Sequence, residues 1–363
     1  MKKILLFIDN LGSGGAQRQL VNIACLLKER GYPVEMLVYS DYPFYKPILD
    51  ENGIPVRLIA SPNYLSRIVN VRKALNRSEA DVVIAFLETA CFLACFSKMG
   101  KRWRLITTER SAKLSTFTSR RNRIFNFFER FADAKVGNSE NAMNMWRKYY
   151  PQYSDKYSVI YNHIAVPKEF TELPHEYLSS GKVRITVAAS YQELKNPLRV
   201  IEALNMLKAE QRDKLDIQWY GRAEVTTGNT EIYDRAQAMI KEYGLGDCIT
   251  LNGEASEIYG LMAESDAVGL FSTVEGLPNA ICEGMTIGRP IIMSTVSDYD
   301  VLVTDNGILC DPQSTESIRD ALIRLTELPA SELERMGRAS QEKAKELFSA
   351  ERVTDKWIEI IEK

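Results

Sequence analysis

The sequence is poor in the residues that mark metal-binding and disulfide-rich proteins. Its 363 residues contain only two histidines, His163 and His175, and six cysteines. The cysteines lie within apolar patterns and form no pair of CxxC motifs, and no histidine is near them. Reduced, buried thiols in a cytoplasmic protein are therefore expected, and no metal site is predicted.

Long hydrophobic runs are also lacking. No segment approaches the roughly 18 uncharged apolar residues that cross a bilayer, and the longest candidate, 90–96, has the length of a core helix. The apolar run that begins at Ile4 ends at Asp9 and Asn10, too early for a signal peptide. It predicts a first strand in a chain that does not cross a membrane.

Length and charge suggest two unlike halves. The chain exceeds the size at which one core usually stops growing, so two domains are expected. Residues 1–165 carry a net charge of +11 and the remainder −13. A basic half suits an anionic partner, such as a phosphorylated lipid at a membrane surface, or is simply a solvated surface. Nucleic acid is not expected, because no reader motif is present.

Apolar runs alternate with helical patterns in both halves, which predicts an α/β protein with two doubly wound parallel sheets. The predicted bounds are 1–165 for the first domain, 166–181 for a linker rich in Pro, Glu and Ser, and 182–347 for the second domain. Ligands bind such sheets at the carboxyl ends of the strands, so the loops after strands are where a site is expected.

The strongest local motif is AVGLFSTVEGLPNAICEGMTIGRPIIMS, a strand, a turn, a helix and another strand beginning at Ala267. Glu275 and Glu283 frame the turn. Carboxylates accept paired hydrogen bonds from the vicinal hydroxyls of a sugar, and free N–H groups at a helix start bind phosphate. Alternatively, Asn279 is a helix cap and Glu283 a solvated first-turn acid. Spacing alone leaves both interpretations open.

The motif resembles the signature of the family-four, or group 1, retaining glycosyltransferases. The matching residues are Glu275, Gly276, Glu283, Gly284, Met285, Gly288 and Pro290. The resemblance implies the GT-B fold, with two facing Rossmann-like domains, a cleft between them and a C-terminal helix, 348–363, that returns to the first domain. It also implies that Glu275 contacts the donor sugar and that Glu283 holds the ribose hydroxyls. The diphosphate would meet the intervening loop of Gly276, Leu277, Pro278 and Asn279.

A second family element normally supplies an arginine and a lysine to the donor diphosphate. Here AASYQELKNP keeps Lys195 but has Ser190 where the arginine is expected. Charge accumulates on the leaving diphosphate, so a cation is needed there. Arg222 after the next strand, or Arg18 from the other domain, could replace it; either could instead be a surface arginine.

The first turn of the chain carries Gly12, Gly14 and Gly15, with Gln17 where a dinucleotide fingerprint requires glycine. This argues against a nicotinamide enzyme. The turn is similar to the family's Gly-Gly-Ala-Glu loop, which implies a donor contact at Gly15. A tight turn without a ligand is the alternative.

The acceptor side is expected around ITTERS, where many relatives carry a histidine. Glu109 or Arg110 could orient an acceptor hydroxyl or anion, or lie in surface pairs. Ser139, in a motif that resembles the family's strand-end Ser-Glu, is expected to line the cleft with Arg18, and His163 to be a hinge residue.

A basic and aromatic segment, SRRNRIFNFFERFAD, has two compatible interpretations. It could contact a membrane through Arg120, Arg121 and Arg123. The spacing of its apolar residues favours a core-facing amphipathic helix; these are Ile124, Phe127, Phe128 and Phe131.

Together these features predict a retaining, metal-independent glycosyltransferase. It would move a hexose or N-acetylhexosamine from a nucleoside-diphosphate sugar, by default a UDP-sugar, to a glycan or lipid-linked acceptor in cell-surface polysaccharide or glycolipid synthesis. The expected place is the cytoplasm, at the inner face of the membrane. A nucleotide-sugar epimerase of the same fold and a non-catalytic nucleotide-sugar-binding protein remain alternatives.

Overall fold

A computed structural model describes residues 1–224 and 228–363 and divides the chain into two compact units. The first unit comprises Met1–His163 with Ala350–Lys363, and the second comprises Ile164–Ser349. The segment 166–181, expected to be a linker, belongs to the second unit and contains a short helix, Lys168–Thr171.

The first unit is built on a parallel sheet of seven strands within the described residues, in the order β3-β2-β1-β4-β5-β6-β7. Its strands are β1 Ile4–Ile8, β2 Val34–Val38, β3 Val56–Leu58, β4 Val82–Ala85, β5 Arg104–Glu109, β6 Ala134–Gly137 and β7 Tyr157–Val159. Its first seven helices are α1 Gly15–Glu29, α2 Lys46–Glu51, α3 Tyr64–Arg77, α4 Glu88–Lys98, α5 Ser115–Thr118, α6 Arg120–Phe128 and α7 Glu140–Tyr149. Short 3₁₀ segments occupy Glu129–Phe131 and Pro151–Lys156.

The second unit has a parallel sheet of six strands within its described residues, in the order β10-β9-β8-β11-β12-β13. Its strands are β8 Val183–Ala188, β9 Leu215–Tyr220, β10 Ile249–Asn252, β11 Ala267–Leu270, β12 Ile291–Ser294 and β13 Gly307–Cys310. Its helices are α8 Lys168–Thr171, α9 Pro197–Asn205, α10 Ala209–Arg212, α11 Glu231–Tyr243, α12 Ile258–Ala263, α13 Asn279–Ile287, α14 Tyr299–Leu302, α15 Thr315–Thr326 and α16 Ala330–Phe348. A 3₁₀ turn, Glu193–Lys195, follows β8.

The central strands of both sheets are buried on two faces, as in parallel sheets covered by helices. All residues of β1 and β11 are buried, which explains why these strands appear in the sequence as continuous apolar runs. In each unit the sheet order reverses beside the first strand, at β1–β4 and at β8–β11. The predicted α/β class with two parallel sheets is therefore confirmed.

The last helix, α17 (Ala350–Glu362), belongs to the first unit. Its apolar face, with Val353, Trp357 and Ile361, is part of the same hydrophobic core as β1. Polar contacts at its edge, such as Arg30 with Asp355 at 2.9 Å, hold it beside α1. The chain thus returns to the unit from which it started, as the GT-B resemblance implied.

The core-facing prediction for α6 is wrong in part. Ile124 and Phe127 are 60% and 52% exposed, whereas Asn122 and Asn126 are buried. The Asn126 amide donates to the carbonyl of Thr116 at 2.9 Å, and the Asn122 amide reaches Glu88 Oε1 at 3.3 Å. Because these hydrogen bonds satisfy the buried amides, the polar face turns inward and an apolar face is left outside.

All six cysteine thiols are free, and all are buried except Cys25, which is half-buried. Within the described residues, none of the helices combines the length and the apolar character that crossing a bilayer requires.

Candidate functional site

The loops that follow β8 and β11 form the centre of the candidate site in the second unit. These strands are neighbours at the point where the sheet order reverses, which is where ligands bind in open parallel sheets. The two loops are joined directly, because the Thr273 backbone N–H donates to the Leu194 carbonyl at 2.8 Å. This contact could not be predicted from the sequence, because it depends on the pairing of distant strands.

Lys195 and Glu275, both predicted site residues, meet in this place. Lys195 Nζ lies 2.5 Å from Glu275 Oε1, and both side chains are mostly buried. The pair puts a cation and an acceptor of hydrogen bonds at the carboxyl edge of the sheet. An anionic ligand there would compete with Glu275 for the positive charge of Lys195, and a sugar hydroxyl could donate to the Glu275 carboxylate.

The start of α13 lies beside the pair. Pro278 is the N-cap residue, no side chain caps the helix, and its first turn contains no acidic residue. Asn279 is the first helical residue, so the alternative that it caps α13 is wrong. The Ile281 and Cys282 N–H groups donate to the Pro278 carbonyl at 3.0 and 3.2 Å, and the positive end of the helix dipole favours an anion such as a phosphate at this place. Ser297 holds the preceding turn by donating its hydroxyl to the Gly276 carbonyl, and Leu277 is buried beside it.

Glu283 lies farther along α13 and is not a solvated surface acid. Its residue exposure is 7%, and its Oε1 accepts a hydrogen bond from the Tyr259 hydroxyl at 3.4 Å. The helix lies close to the sheet because Gly284 has no side chain; a Cβ there would be 2.7 Å from the Cβ of Val268. A buried carboxylate held in this way can accept two hydroxyl groups in a fixed geometry.

A second part of the site is a cavity of about 410 Å³ at the carboxyl ends of β8 and β9, lined in part by Ser190, Gln192, Tyr220, Arg222 and Glu254. Ser190 Oγ accepts a hydrogen bond from Gln192 Nε2 at 2.9 Å. Arg222 and Glu254 form an exposed double hydrogen bond of 3.1 and 3.2 Å. Arg222 therefore shares a cavity with Ser190, but Glu254 already offsets its charge. Sequence reasoning missed Glu254 and Tyr259, since no motif marks either residue.

The glycine turn of the first unit lies after β1 and begins α1. Gly14 is the N-cap residue, Gly15 is the first helical residue and no side chain caps the helix. A Cβ on Gly14 would be 2.3 Å from Gln17 Oε1, so glycine is needed for Gln17 to fold back toward Asp9, to which its amide donates at 3.3 Å. Arg18 follows on α1 and is half-buried.

The carboxylate of Glu109, at the end of β5, is engaged in hydrogen bonds within the first unit. Its Oε1 accepts from the backbone N–H groups of Arg110 and Ser111, both at 3.0 Å, and its Oε2 accepts from the Trp146 indole at 2.9 Å. The carboxylate therefore holds its own loop. Ser139 is fully buried and caps α7 by accepting the Ala142 N–H at 3.1 Å, so its hydroxyl is likewise used within the fold.

The side chain of Arg110, in the same loop, contacts Asn162 and Phe86. Its Nη1 donates to Asn162 Oδ1 at 3.1 Å, and its guanidinium lies over the Phe86 ring, 4.1 Å from the centroid. His163 follows Asn162 and accepts a hydrogen bond from Gln19 through its carbonyl at 3.1 Å. The predicted acceptor-side residues Arg110 and His163 thus cluster at the carboxyl edge of the first sheet.

Both units match families of known proteins. Residues 170–343 match the family described as "Glycosyl transferases group 1" and residues 13–166 match "Glycosyltransferase Family 4". Two relatives are similar along most of their length. One is the Campylobacter jejuni GalNAc-alpha-(1->4)-GalNAc-alpha-(1->3)-diNAcBac-PP-undecaprenol alpha-1,4-N-acetyl-D-galactosaminyltransferase, 24% identical over 78% of this chain and 77% of that protein. The other is an uncharacterized glycosyltransferase of Haemophilus influenzae, 22% identical over 98% and 99%.

The fold is also that of solved glycosyltransferase structures. Alr3699/HepE of Anabaena, in complex with UDP, superposes with a TM-score of 0.83 at 20% identity over 99% of both chains. At that identity the likeness shows the GT-B fold alone, while the two family matches together extend through most of the chain. This chain belongs to the group 1 glycosyltransferases.

Proposed function

We propose that this glycosyltransferase is retaining and metal-independent and transfers a hexose or N-acetylhexosamine from a nucleoside-diphosphate sugar to a hydroxyl of a glycan or lipid-linked acceptor. The observation that carries the proposal is the Lys195–Glu275 contact at 2.5 Å beside the uncapped start of α13. A cation, a carboxylate and the positive end of a helix dipole lie together there, a combination that suits a sugar diphosphate.

In the proposed reaction the bond from the anomeric carbon to the diphosphate oxygen breaks, and a bond to the acceptor oxygen forms on the same face of the sugar. The acceptor hydroxyl gives its proton to the departing diphosphate. Lys195 and the positive end of the α13 dipole stabilise the charge that develops on that group. Glu275 orients the sugar, and Glu283 binds the ribose hydroxyls. Lys195 would take over the positive charge that other enzymes draw from a metal ion.

The relatives support the choice of substrates. The Anabaena structure contains UDP, and the Campylobacter enzyme is named for the transfer of N-acetylgalactosamine to an undecaprenol-diphosphate saccharide. These names favour a UDP-sugar donor and a lipid-linked acceptor, and hence a place in cell-surface polysaccharide or glycolipid synthesis.

A lipid-linked acceptor would require contact with the inner face of the membrane. The outward face of α6 suits this role. Arg120, Arg123, Ile124 and Phe127, here called the α6 surface patch, line a surface hollow of about 550 Å³. Exposed apolar side chains among arginines bind anionic bilayers through both burial and charge.

The direct test is nucleotide binding and turnover in the presence of EDTA. We would measure thermal stabilisation by UDP, GDP and ADP, and then hydrolysis of the matching sugar nucleotides, for the wild type and Glu283→Ala. Glu346→Gln, an exposed change on α16, is the matched control. One nucleotide is expected to stabilise the wild type and the control but not Glu283→Ala, and its sugar form should be hydrolysed slowly.

Other outcomes would identify the alternatives. Formation of a sugar epimer, seen by NMR of the products, would indicate an epimerase. Binding without hydrolysis or transfer to any supplied acceptor would indicate a non-catalytic binder. Activity that disappears with EDTA and returns with a divalent cation would overturn metal independence, and failure of all nucleotides to bind would overturn the donor site.

A further inference from the structure

The carboxyl edge of the first sheet gathers polar side chains from neighbouring strand ends. Glu109, the last residue of β5, pairs in register with Gly137 of β6, which in turn pairs with Val159 of β7. Arg110 and Asn138 therefore leave adjacent strands side by side, and the Asn138 N–H donates to the Glu109 carbonyl at 3.2 Å. None of these groups takes part in the donor chemistry proposed above.

Arg110 has unused hydrogen-bond donors in this cluster. Nη1 is engaged by Asn162, but Nε and Nη2 are buried and have no hydrogen-bond partner among the described residues. The oxygens of the neighbouring Glu109 carboxylate are engaged by two backbone N–H groups of their own loop and by Trp146, and the charge of Glu109 offsets only part of the effect of burial on Arg110. Burial lowers the pKa of Arg110 to about 9, which indicates how poorly its charge is compensated within the protein.

The two unused atoms are the ones that bind oxyanions. Nε and Nη2 form one edge of the planar guanidinium, where two parallel N–H groups match two oxygens of a carboxylate or phosphate. Buried donors without partners are uncommon in native proteins and call for an explanation, because leaving a donor unpaired costs about 1–3 kcal/mol. The Phe86 ring packs against one face of the Arg110 guanidinium, and the hydrogen bond to Asn162 fixes its rotation. The Nε–Nη2 edge is therefore held in one orientation.

We propose that the Nε–Nη2 edge of Arg110 binds an oxyanion of the acceptor, a phosphate ester or a sugar carboxylate. Asn138 extends the site: its Oδ1 is also buried without a partner among the described residues and can accept a hydrogen bond from a hydroxyl next to the anion. An acceptor sugar that carries a phosphate or a carboxylate offers both groups. The inference rests on the proposed function, since it assigns the chemistry of the acceptor.

The test uses small anions and the full-length protein saturated with UDP. Phenyl phosphate and D-glucuronate are titrated while the ¹⁵N signals of the arginine Nε–H groups are followed by NMR, with D-glucose as the neutral probe. Arg110→Gln identifies the Arg110 signal, because that signal disappears, and it removes both the charge and the paired N–H groups. Arg110→Lys keeps the positive charge but lacks the two parallel N–H groups. Arg104→Gln is the matched control, because Arg104 also has a buried Nε without a partner but lies at the opposite end of β5.

One of the two anions is expected to shift the Arg110 signal, and the preferred one identifies the source as phosphate or carboxylate. Arg110→Gln should weaken this binding about tenfold or more, because a charge-assisted pair of hydrogen bonds is lost. Arg110→Lys should weaken it less, and Arg104→Gln should not change it. No shift with either anion, or equal effects of the two glutamine variants, would overturn the proposal. Loss of UDP binding in Arg110→Lys would also overturn it, by assigning the residue to the donor.

UDP binding by the wild type is measured in the same samples. If UDP does not bind, the proposed function fails whatever the anions do. If UDP binds and the anions do not, only the assignment of Arg110 fails.

Discussion

Lys195 has two competing partners in the proposed reaction. It lies 2.5 Å from Glu275, and the leaving diphosphate would draw on the same positive charge. We predict that Lys195→Met lowers the rate of transfer and of donor hydrolysis by about 10²–10³-fold, the range found when a donor to a developing anion is removed. UDP affinity should fall much less, because Glu283 and the positive end of the α13 dipole remain. Steady-state kinetics check this, with the exposed Lys241→Met as the control; an unchanged kcat would refute the role.

Gly284 determines how closely α13 approaches the sheet. A methyl group there would lie 2.7 Å from Val268 Cβ, too close for carbon atoms. We predict that Gly284→Ala destabilises the protein by about 1–3 kcal/mol, as overpacking of a core does, and weakens nucleotide binding because Glu283 moves with the helix. Thermal unfolding measures the first effect. Gly246→Ala, where a Cβ would meet nothing within 4 Å, should leave both properties nearly unchanged.

Individual residues were predictable where a motif marked them. Glu275, Glu283 and Lys195 were selected from spacing and resemblance, and the structure brings Lys195 and Glu275 together. The environment of each side chain was not predictable, because it is made by residues distant in sequence. Nothing in ITTERS shows that Trp146 holds the Glu109 carboxylate or that Arg110 keeps two donors unpaired.

At the scale of elements, α6 shows how an apolar pattern can mislead. The i, i+3, i+4, i+7 spacing predicted a core face that includes Ile124 and Phe127, yet both are exposed. The helix instead buries Asn122 and Asn126, whose amides bind Glu88, Ser115 and Thr116 on neighbouring elements. A periodic pattern records which residues are apolar, whereas the buried face also depends on partners for polar groups.

The α6 surface patch gives a prediction at the same scale. Replacing Ile124 and Phe127 by Asp should leave thermal stability almost unchanged, because both side chains are exposed, but should reduce binding to anionic vesicles. Asn126→Ala should do the opposite: it removes the hydrogen bond to the buried Thr116 carbonyl at a cost of about 1–3 kcal/mol and leaves the patch intact. Vesicle sedimentation and thermal unfolding measure the two effects. Equal vesicle binding by Ile124→Asp/Phe127→Asp and the wild type would exclude this patch as the membrane contact.

At the scale of the whole molecule, the order of strands and helices was accessible from the sequence because each parallel strand is a continuous apolar run. The first strand, predicted to begin at Ile4 and to end before Asp9, has these bounds in the structure, Ile4–Ile8. Short strands such as β3 and β7 could not be predicted in this way, since three residues carry too little periodicity. The return of the last helix was known only through the family resemblance, because its partners, such as Arg30 and Phe86, lie hundreds of residues earlier in the chain.

Because α17 packs in the core of the first unit, loss of one of its buried side chains should destabilise the first unit and not the second. Trp357 on α17 is 1% exposed, belongs to the core of the first unit and stacks on Phe86 with ring centroids 6.5 Å apart. Trp357→Ala should destabilise the first unit by about 3–5 kcal/mol, as truncation of a buried aromatic residue does. Hydrogen exchange should rise in β1 and β4, while β8 and β11 of the second unit keep their protection. Because Phe86 also supports the Arg110 guanidinium, anion binding should weaken more than UDP binding. Glu359→Ala, an exposed change on the same helix, is the control, and an equal rise of exchange in both units would show that α17 does not stabilise the first unit specifically.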